Sequence, residues 1–188
     1  MILKYLVKQE MMLVGEAFDK VARVLGLEYP GGPLVSKLAK EGKNTYKLPK
    51  TKFETSYDFS FSGIKTSVIN IAHKEGDKLC KADMACSFET SVAEVLVEHT
   101  IALMKEKNLK VVTLAGGVSA NTYLRELLIN TCRENGFKCY VPEFKYCTDN
   151  AAMIACSAYY KYIEGNKEDF DITNNLELNA IANLKIGE

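Results

Sequence analysis

Two short loops, each placed between an apolar run and a helical pattern, carry the residues best suited to bind a ligand. The first contains Gly116, Gly117 and Asn121, and the second contains Asp149. Adjacent glycines after a strand let backbone amides approach a ligand closely, and the helix N-terminus beyond them attracts an anion. We interpret the first loop either as a loop that binds a phosphate or a nucleoside, or as a plain tight turn.

Asn121 and Asp149 both stand at the expected start of a helix, where asparagine and aspartate commonly cap the free backbone amides. Asn121 either only caps its helix or also reads a base or ribose. Asp149 either only caps its helix or also binds a metal ion, although one carboxylate cannot hold a metal alone. The residues by themselves leave both alternatives open.

A third candidate is Asp19, which is followed by the sequence YPGGP at residues 29–33. Asp19 lies beside the apolar face of a predicted helix, and a partly buried carboxylate needs a donor such as a ribose hydroxyl or a neighbouring amide. Gly31 and Gly32 would let a nucleoside approach the backbone. The alternative is a solvated aspartate followed by an ordinary turn.

Lysine dominates residues 37–52, where the only acid is Glu41. This stretch is either a solvated loop or a surface that contacts a phosphate backbone. The chain as a whole has 24 basic and 24 acidic residues, which argues against nucleic-acid binding by bulk charge alone. The lysines are Lys37, Lys40, Lys43, Lys47, Lys50 and Lys52.

Composition narrows the class of protein. A chain of 188 residues with 47% hydrophobic and 26% charged residues suits one globular domain. No apolar run reaches the roughly 18 residues of a membrane span, and no basic segment with a cleavage site marks a signal peptide. For this reason we expect no membrane partner. The 6 cysteines show no metal-binding spacing, so we expect a reducing, cytoplasmic setting.

The hydrophobic pattern predicts alternating helices and strands, with parallel pairing of the last two strands in an α/β fold. In such sheets ligands bind beyond the carboxyl ends of the strands, where both loops lie. We expect strand 111–115 to be buried on both faces, residues 29–33 to be irregular and residues 41–55 to form an exposed loop. The predicted helices span residues 14–25, 34–40, 64–73, 81–107, 122–135 and 149–163, and the predicted strands span residues 57–63, 111–115 and 138–141.

Four segments within residues 14–162 carry a family resemblance: GEAFDKVARVLGLEYPGGP, DFSFSGIKTSV, AGGVSAN and CTDNAAMIA. In this order and spacing they resemble the C-terminal half of the TsaD-type tRNA threonylcarbamoyladenosine transferases, once called O-sialoglycoprotein endopeptidases or glycoproteases. The resemblance implies an α/β lobe of the ASKHA superfamily (actin, Hsp70, sugar kinases), with a parallel-containing sheet flanked by helices and an added helical segment. It also implies transfer of a threonylcarbamoyl group from threonylcarbamoyl-AMP to the exocyclic amine of the adenosine beside the tRNA anticodon.

Carried over residue by residue, the resemblance implies that Asp19 and Gly32 meet the nucleoside part of the adenylate and that Asn121 meets it from the opposite side. Asp149 would be one ligand of an iron or zinc ion that holds oxygens of the substrate. The implied partners are the adenylate, tRNA, and TsaB-like and TsaE-like proteins, and no residue is assigned as catalytic. The implied substrate-binding residues are Asp19, Gly32, Gly116, Gly117 and Asn121.

The chain also departs from the family. The family's first lobe supplies a His-x-x-x-His metal pair and a Ser-Gly-Gly-His phosphate loop, whereas the only histidines here are His73 and His99. We therefore expect the chain alone to retain no metal and to be inactive in transfer. The competing hypotheses are a non-catalytic ASKHA-like module that binds a partner and, less favoured, a sugar-kinase-type phosphotransferase or a protease.

The predicted organisation is an aberrant N-terminal segment at residues 1–13, the C-terminal lobe at residues 14–164 and a tail at residues 165–188. Where the family shows Asp-Phe-Glu-Ile-Leu-Gly-Glu-Thr-Arg-Asp-Asp-Ala, this chain begins MILKYLVKQEMML. A reading-frame slip over one coding of the family stretch yields that beginning. We hypothesise an N-terminally truncated product in which the family frame resumes at Val14.

Loss of a first lobe would leave apolar surface uncovered, and large apolar patches are rare on monomeric proteins. We therefore expect the chain to self-associate, with two-fold pairing as the simplest closed arrangement. The expected contact surfaces are helix 15–25 and the long helix through Phe88, Val92 and Leu96.

Overall fold

The computed structural model describes residues 14–50 and 59–165. The predicted aberrant segment at residues 1–13, the first residues of the predicted strand 57–63 and nearly all of the predicted tail lie outside the described residues. The described residues fall in two compact units: residues 14–50 and 59–147 belong to the main unit, and residues 148–165 belong to the second unit. Each unit is considered by itself below.

Helices make up most of the described chain. In the main unit they are joined by short 3₁₀ turns at Gly76–Lys78, Gly117–Ala120 and Phe144–Tyr146. The second unit contributes one described helix. In chain order the elements are α1 (Val14–Val24), α2 (Gly31–Ala39), α3 (Ser62–Glu75), α4 (Lys81–Glu106), β1 (Val111–Thr113), α5 (Thr122–Glu134), β2 (Lys138–Tyr140) and α6 (Ala151–Glu164).

The two described strands pair in parallel, as the sequence predicted, with Val112 opposite Cys139. The prediction that β1 is buried on both faces was wrong, because Val111 is 49% exposed and Thr113 is exposed as well. The reason is that, within the described part of the main unit, helices pack on one face of the strands: Val112, Leu114 and Cys139 contact the buried side chains of α4 and α5. The residues that alternate with them face away from that cluster.

The main core lies between α1, α2, α3 and α4. Phe18 and Phe88 meet edge to face at its centre, with ring centroids 4.9 Å apart. Burying a side chain of this size contributes about 1.5–3 kcal/mol. Our expectation that α1 and α4 offer their apolar residues as contact surfaces was wrong, because Phe18, Val21, Phe88 and Val92 are buried in this core. Self-association itself stays a prediction, which light scattering of the full chain would test.

Two helices begin earlier than predicted. α2 begins at Gly31, so Gly31 to Pro33 form its first turn instead of an irregular loop. Proline is accommodated there because the first amides of a helix have no intrahelical partner. α3 begins at Ser62, so Gly63 lies inside the helix, and of the predicted strand only Phe59 forms a bridge among its described residues.

The polar stretch after α2 is not a free loop over residues 41–50. Asp83 at the start of α4 accepts hydrogen bonds from Lys43 N at 2.9 Å and from Thr45 Oγ1 at 3.1 Å. These bonds lower the pKa of the Asp83 carboxyl, the backbone bond from Lys43 being the largest cause. Tyr46 donates to Ser87 Oγ through its backbone amide and packs against the core. The segment is therefore anchored to α4 although most of its side chains are exposed.

Candidate functional site

A cavity of about 1160 Å³ opens in the main unit between α1, α2, α4 and the turn before α5. Four of the five predicted substrate-binding residues line it: Asp19, Gly32, Gly117 and Asn121. Gly116, the fifth substrate-binding candidate, is not among the lining residues, but its φ of 86° lies in the left-handed region that favours glycine. Gly116 therefore shapes the turn that brings Gly117 to the cavity wall.

The two glycines at the start of α2 have different roles. A Cβ on Gly31 would lie 2.6 Å from Ala22 Cβ and 2.7 Å from Asp19 Cα, so Gly31 permits close packing of α1 on α2. A Cβ on Gly32 would meet nothing within 4 Å, and Gly32 lines the cavity. Close approach of a ligand is thus available at Gly32, while Gly31 is a packing residue.

Asp19 is half-buried at the cavity wall. Its Oδ1 accepts a 2.8 Å hydrogen bond from Gly31 N, so a neighbouring amide supplies the donor that the sequence led us to expect. This amide belongs to the first turn of α2, where helix amides are free and favour a negative charge. Oδ2 makes no hydrogen bond to the described protein groups and can accept one from a ligand.

Asn121 is the N-cap of α5, as predicted: its Oδ1 accepts a 2.8 Å hydrogen bond from Leu124 N. Its Nδ2 donates to Ser36 Oγ at 3.0 Å and to Glu89 Oε1 at 2.6 Å. Both amide hydrogens are therefore used within the protein. What Asn121 can still offer a ligand is the remaining lone pair of Oδ1, which accepts hydrogen bonds.

Sequence reasoning missed Ser36 and Glu89, which both line the cavity. The sequence contained a signal that Glu89 is buried. Ala85 and Ala93 lie four residues before and after it, so Glu89 is a charged residue on an otherwise apolar face of the helix. Ser36 carried no such signal. Its position at the cavity depends on how α2 packs on α4 and α1.

The charge of the cavity wall disfavours a phosphate inside it. Four carboxylates and two lysines line the cavity, so like charges would oppose an anion. Apolar side chains, including Phe18 and Val118, form another part of the wall and suit the face of a base. The charged lining residues are Glu16, Asp19, Glu89, Glu126, Lys37 and Lys40.

Arg125, also missed, connects the glycine turn to the segment after β2. Its guanidinium donates to Ser119 O at 2.8 Å and to Pro142 O, and it contacts Cys147 Sγ at 3.5 Å. The same group lies 4.4 Å from the ring centroid of Phe144. Arg125 thereby fixes the backbone of the turn that carries Gly117 and Asn121.

Asp149 belongs to the second unit and is exposed. The expectation that it caps the following helix was wrong: Asn150 is the N-cap of α6, and its Oδ1 accepts a 3.0 Å bond from Met153 N. Within residues 14–50 and 59–165, no three His, Cys, Asp or Glu side chains are placed to hold a metal ion. The described donor set therefore does not fit the metal that the family resemblance implies.

The lysines of residues 37–52 lie in different environments. Lys37 and Lys40 line the cavity, and Lys43 and Lys47 are exposed. Lys50 lies 2.9 Å from Glu94 Oε2 and 3.0 Å from Glu98 Oε1, and these bonds raise the pKa of Lys50. Lys52 lies outside the described residues. Among residues 14–50 and 59–165, no helix is long and apolar enough to cross a membrane.

The family model and the similar proteins that match this chain carry the same description. A family model for TsaD, tRNA N6-adenosine threonylcarbamoyltransferase, matches residues 2–156. The tRNA N6-adenosine threonylcarbamoyltransferase of Clostridium botulinum (strain 657 / Type Ba4) is 47% identical over 179 residues, covering 93% of this chain and 51% of that protein. The protein of the same description from Caldicellulosiruptor saccharolyticus is 50% identical over 176 residues, covering 92% of this chain and 50% of that protein. The chain thus spans about half the length of the curated relatives it matches.

A solved structure supports the fold. The crystal structure of full-length HypF in the phosphate- and nucleotide-bound form matches 72% of this chain and 18% of its own chain, with a TM-score of 0.58 and 23% identity. At this identity the likeness concerns the fold alone. It supports the predicted α/β fold. The family match begins within the segment at residues 1–13, whose origin in a frame slip stays a prediction.

Proposed function

Because the chain belongs to the TsaD family of tRNA N6-adenosine threonylcarbamoyltransferases, we propose that it forms the nucleoside-binding lobe of such a transferase. The whole enzyme would move a threonylcarbamoyl group from threonylcarbamoyl-AMP to the exocyclic amine of an adenosine in tRNA. One observation carries the proposal: Asp19 of α1, Gly32 of α2, and Gly117 and Asn121 of the glycine turn before α5 line a single cavity.

The described residues suit the adenosine part of the adenylate. Asp19 Oδ2 and Asn121 Oδ1 are acceptors for hydroxyl or amino groups, and Gly32 leaves room for the ligand beside the α2 backbone. The acidic wall disfavours the phosphate, so the phosphate and the acyl group extend out of the cavity. Lys37 and Lys40 at the wall, with exposed Lys43 and Lys47, are our candidates for contacts to the tRNA backbone.

We distinguish binding of the nucleoside from transfer of the threonylcarbamoyl group. In the family the metal would hold oxygens of the substrate, but among the described residues Asp149 belongs to no group of three His, Cys, Asp or Glu side chains that could hold a metal ion. No step assigned to this chain therefore uses a metal. We propose that the chain alone binds adenosine in the cytoplasm without forming modified tRNA, and that partners such as TsaB-like and TsaE-like proteins act on the intact family enzyme.

Calorimetric titration of the full chain with adenosine tests the proposal. We expect saturable binding, and we expect Asp19→Asn to weaken it roughly tenfold or more, because the variant still accepts the Gly31 amide but loses the charge that a ligand donor meets. Asp77→Asn, in the exposed Gly76–Lys78 turn, is the matched control and should bind like the parent chain. A folded chain that binds no adenosine would contradict the proposal.

A further inference from the structure

Glu89 lies in the middle of α4 and is only 7% exposed, within a run of buried residues. Glutamate is rarely buried to this extent without partners, because removing a carboxylate from water is costly. Glu89 also lines the 1160 Å³ cavity, so the accessible part of its side chain faces that space. The buried Glu89 carboxylate therefore faces the cavity in which we propose that the nucleoside binds.

The hydrogen bonding of Glu89 is incomplete within the protein. Its Oε1 accepts one bond, from Asn121 Nδ2, whereas an ionised carboxylate has about four acceptor positions. No lysine or arginine of residues 14–50 and 59–165 forms an ion pair with it. Oε2 thus has acceptor capacity that the described protein groups do not use.

The chemistry of Oε2 limits what can bind there. A hydroxyl or amino group would donate a charge-assisted hydrogen bond to the carboxylate. A phosphate would meet like charge, and a carbonyl oxygen has no proton to donate. A nucleoside offers donors of two kinds, the ribose hydroxyls and the exocyclic amine of the base. The common feature of both is a neutral donor group.

We propose that Glu89 is a ligand-binding residue of this cavity, whose Oε2 accepts a hydrogen bond from a donor group of the nucleoside. The inference rests on the proposed function, because it takes a nucleoside to occupy the cavity. The bond from Asn121 to Oε1 orients the carboxylate before the ligand arrives, which reduces the entropy lost on binding.

Glu89→Gln is the variant that isolates this contact. The glutamine Oε1 can still accept from Asn121, so the Asn121 amide keeps its position, while the other terminal atom becomes a donor and no longer accepts from the ligand. Glu98→Gln is the matched control, because Glu98 lies on the same helix, is exposed and is not part of the cavity lining. Circular dichroism and thermal unfolding establish that both variants are folded.

Three probes are titrated into the full chain and both variants: adenosine, 2′,3′-dideoxyadenosine, which lacks the 2′- and 3′-hydroxyls of the ribose, and purine riboside, which lacks the exocyclic amine. We expect Glu89→Gln to weaken adenosine binding roughly 10- to 100-fold, with Glu98→Gln unchanged. The probe that lacks the donor read by Glu89 should bind the parent chain and Glu89→Gln equally, and it identifies whether the ribose or the base supplies that donor.

Two results would overturn the assignment while leaving the proposed function intact. One is unchanged adenosine affinity in Glu89→Gln. The other is an equal loss for all three probes, which would mean that Glu89 only supports the shape of the site. If the parent chain binds adenosine in none of the titrations, the proposed function fails and this inference fails with it.

Discussion

Asn121 Nδ2 lies 2.6 Å from Glu89 Oε1 and connects the start of α5 to the middle of α4. The second amide hydrogen of Asn121 reaches Ser36 Oγ on α2, while its Oδ1 caps α5. One side chain therefore holds three helices that surround the cavity. Capping and organisation of the binding site are two roles of the same amide.

We expect Asn121→Ala to lower the free energy of unfolding by about 2–4 kcal/mol. The variant removes a helix cap, which costs about 1 kcal/mol, and leaves the buried Glu89 carboxylate without its donor, which costs about 1–3 kcal/mol. Urea denaturation of the full chain measures the change. Asn150→Ala is the control, because it removes the cap of α6 and a bond to Thr148 O but leaves no buried carboxylate without its donor. Equal losses in the two variants would contradict the role given to Glu89.

Gly31 and Gly32 offer a matched pair of substitutions at the start of α2. Gly31→Ala places a Cβ 2.6 Å from Ala22 Cβ, so α1 and α2 must separate, and we expect a loss of about 1–3 kcal/mol in unfolding free energy. Gly32→Ala meets nothing within 4 Å and should unfold like the parent chain. Thermal unfolding compares the two, and a Gly32 variant as unstable as the Gly31 variant would refute the distinction.

Several features were predictable because they depend on local sequence. The bodies of α1, α4 and α5 follow from apolar residues at helical spacing, and the cap at Asn121 follows from its type and position. The parallel pairing of β1 and β2 follows from the order strand, helix, strand. Errors at the ends of these elements are one or two residues.

Other features depend on partners that a sequence does not reveal. Gly31, the first residue of α2, packs on Ala22 of α1 and donates to Asp19, twelve residues earlier in the chain. The composition around Gly31 predicted a break in regular structure and gave no sign of these contacts. The exposure of Val111 depends on how many helices cover β1. Glu89 belongs to the site because α2, α4 and α5 meet there, and no local pattern specifies that meeting.

Cysteine reactivity should separate the buried thiols from the exposed ones. Burial is the main cause that raises the pKa of the Cys132 thiol to about 11, with a smaller contribution from Cys139. At pH 8 its thiolate fraction is then roughly a hundredfold below that of a thiol with a pKa near 9. We expect iodoacetamide to label Cys80 and Cys156 first and Cys132 last, as read by mass spectrometry.

The same shift predicts how stability changes in alkali. The folded-state pKa of Cys132 lies above its unfolded value, so folding favours the neutral thiol. This contribution to stability is complete below about pH 9 and is lost as the pH rises towards 11. In Cys132→Ala the decline of unfolding free energy over that interval should be shallower than in the parent chain, and an identical decline would contradict the assignment.

Arg125 should control the position of the glycine turn. Its guanidinium bonds to Ser119 O in the turn and to Pro142 O beyond β2, and a lysine cannot reproduce this forked geometry. We expect Arg125→Lys to lower the free energy of unfolding by about 1–3 kcal/mol in urea denaturation. Because Gly117 and Asn121 lie in or beside the turn, adenosine affinity should fall as well, at a temperature where the variant is still folded. Arg133→Lys, an exposed change in the last turn of the same helix, should alter neither quantity. Loss of stability with unchanged adenosine affinity would show that Arg125 supports the fold without positioning the cavity wall.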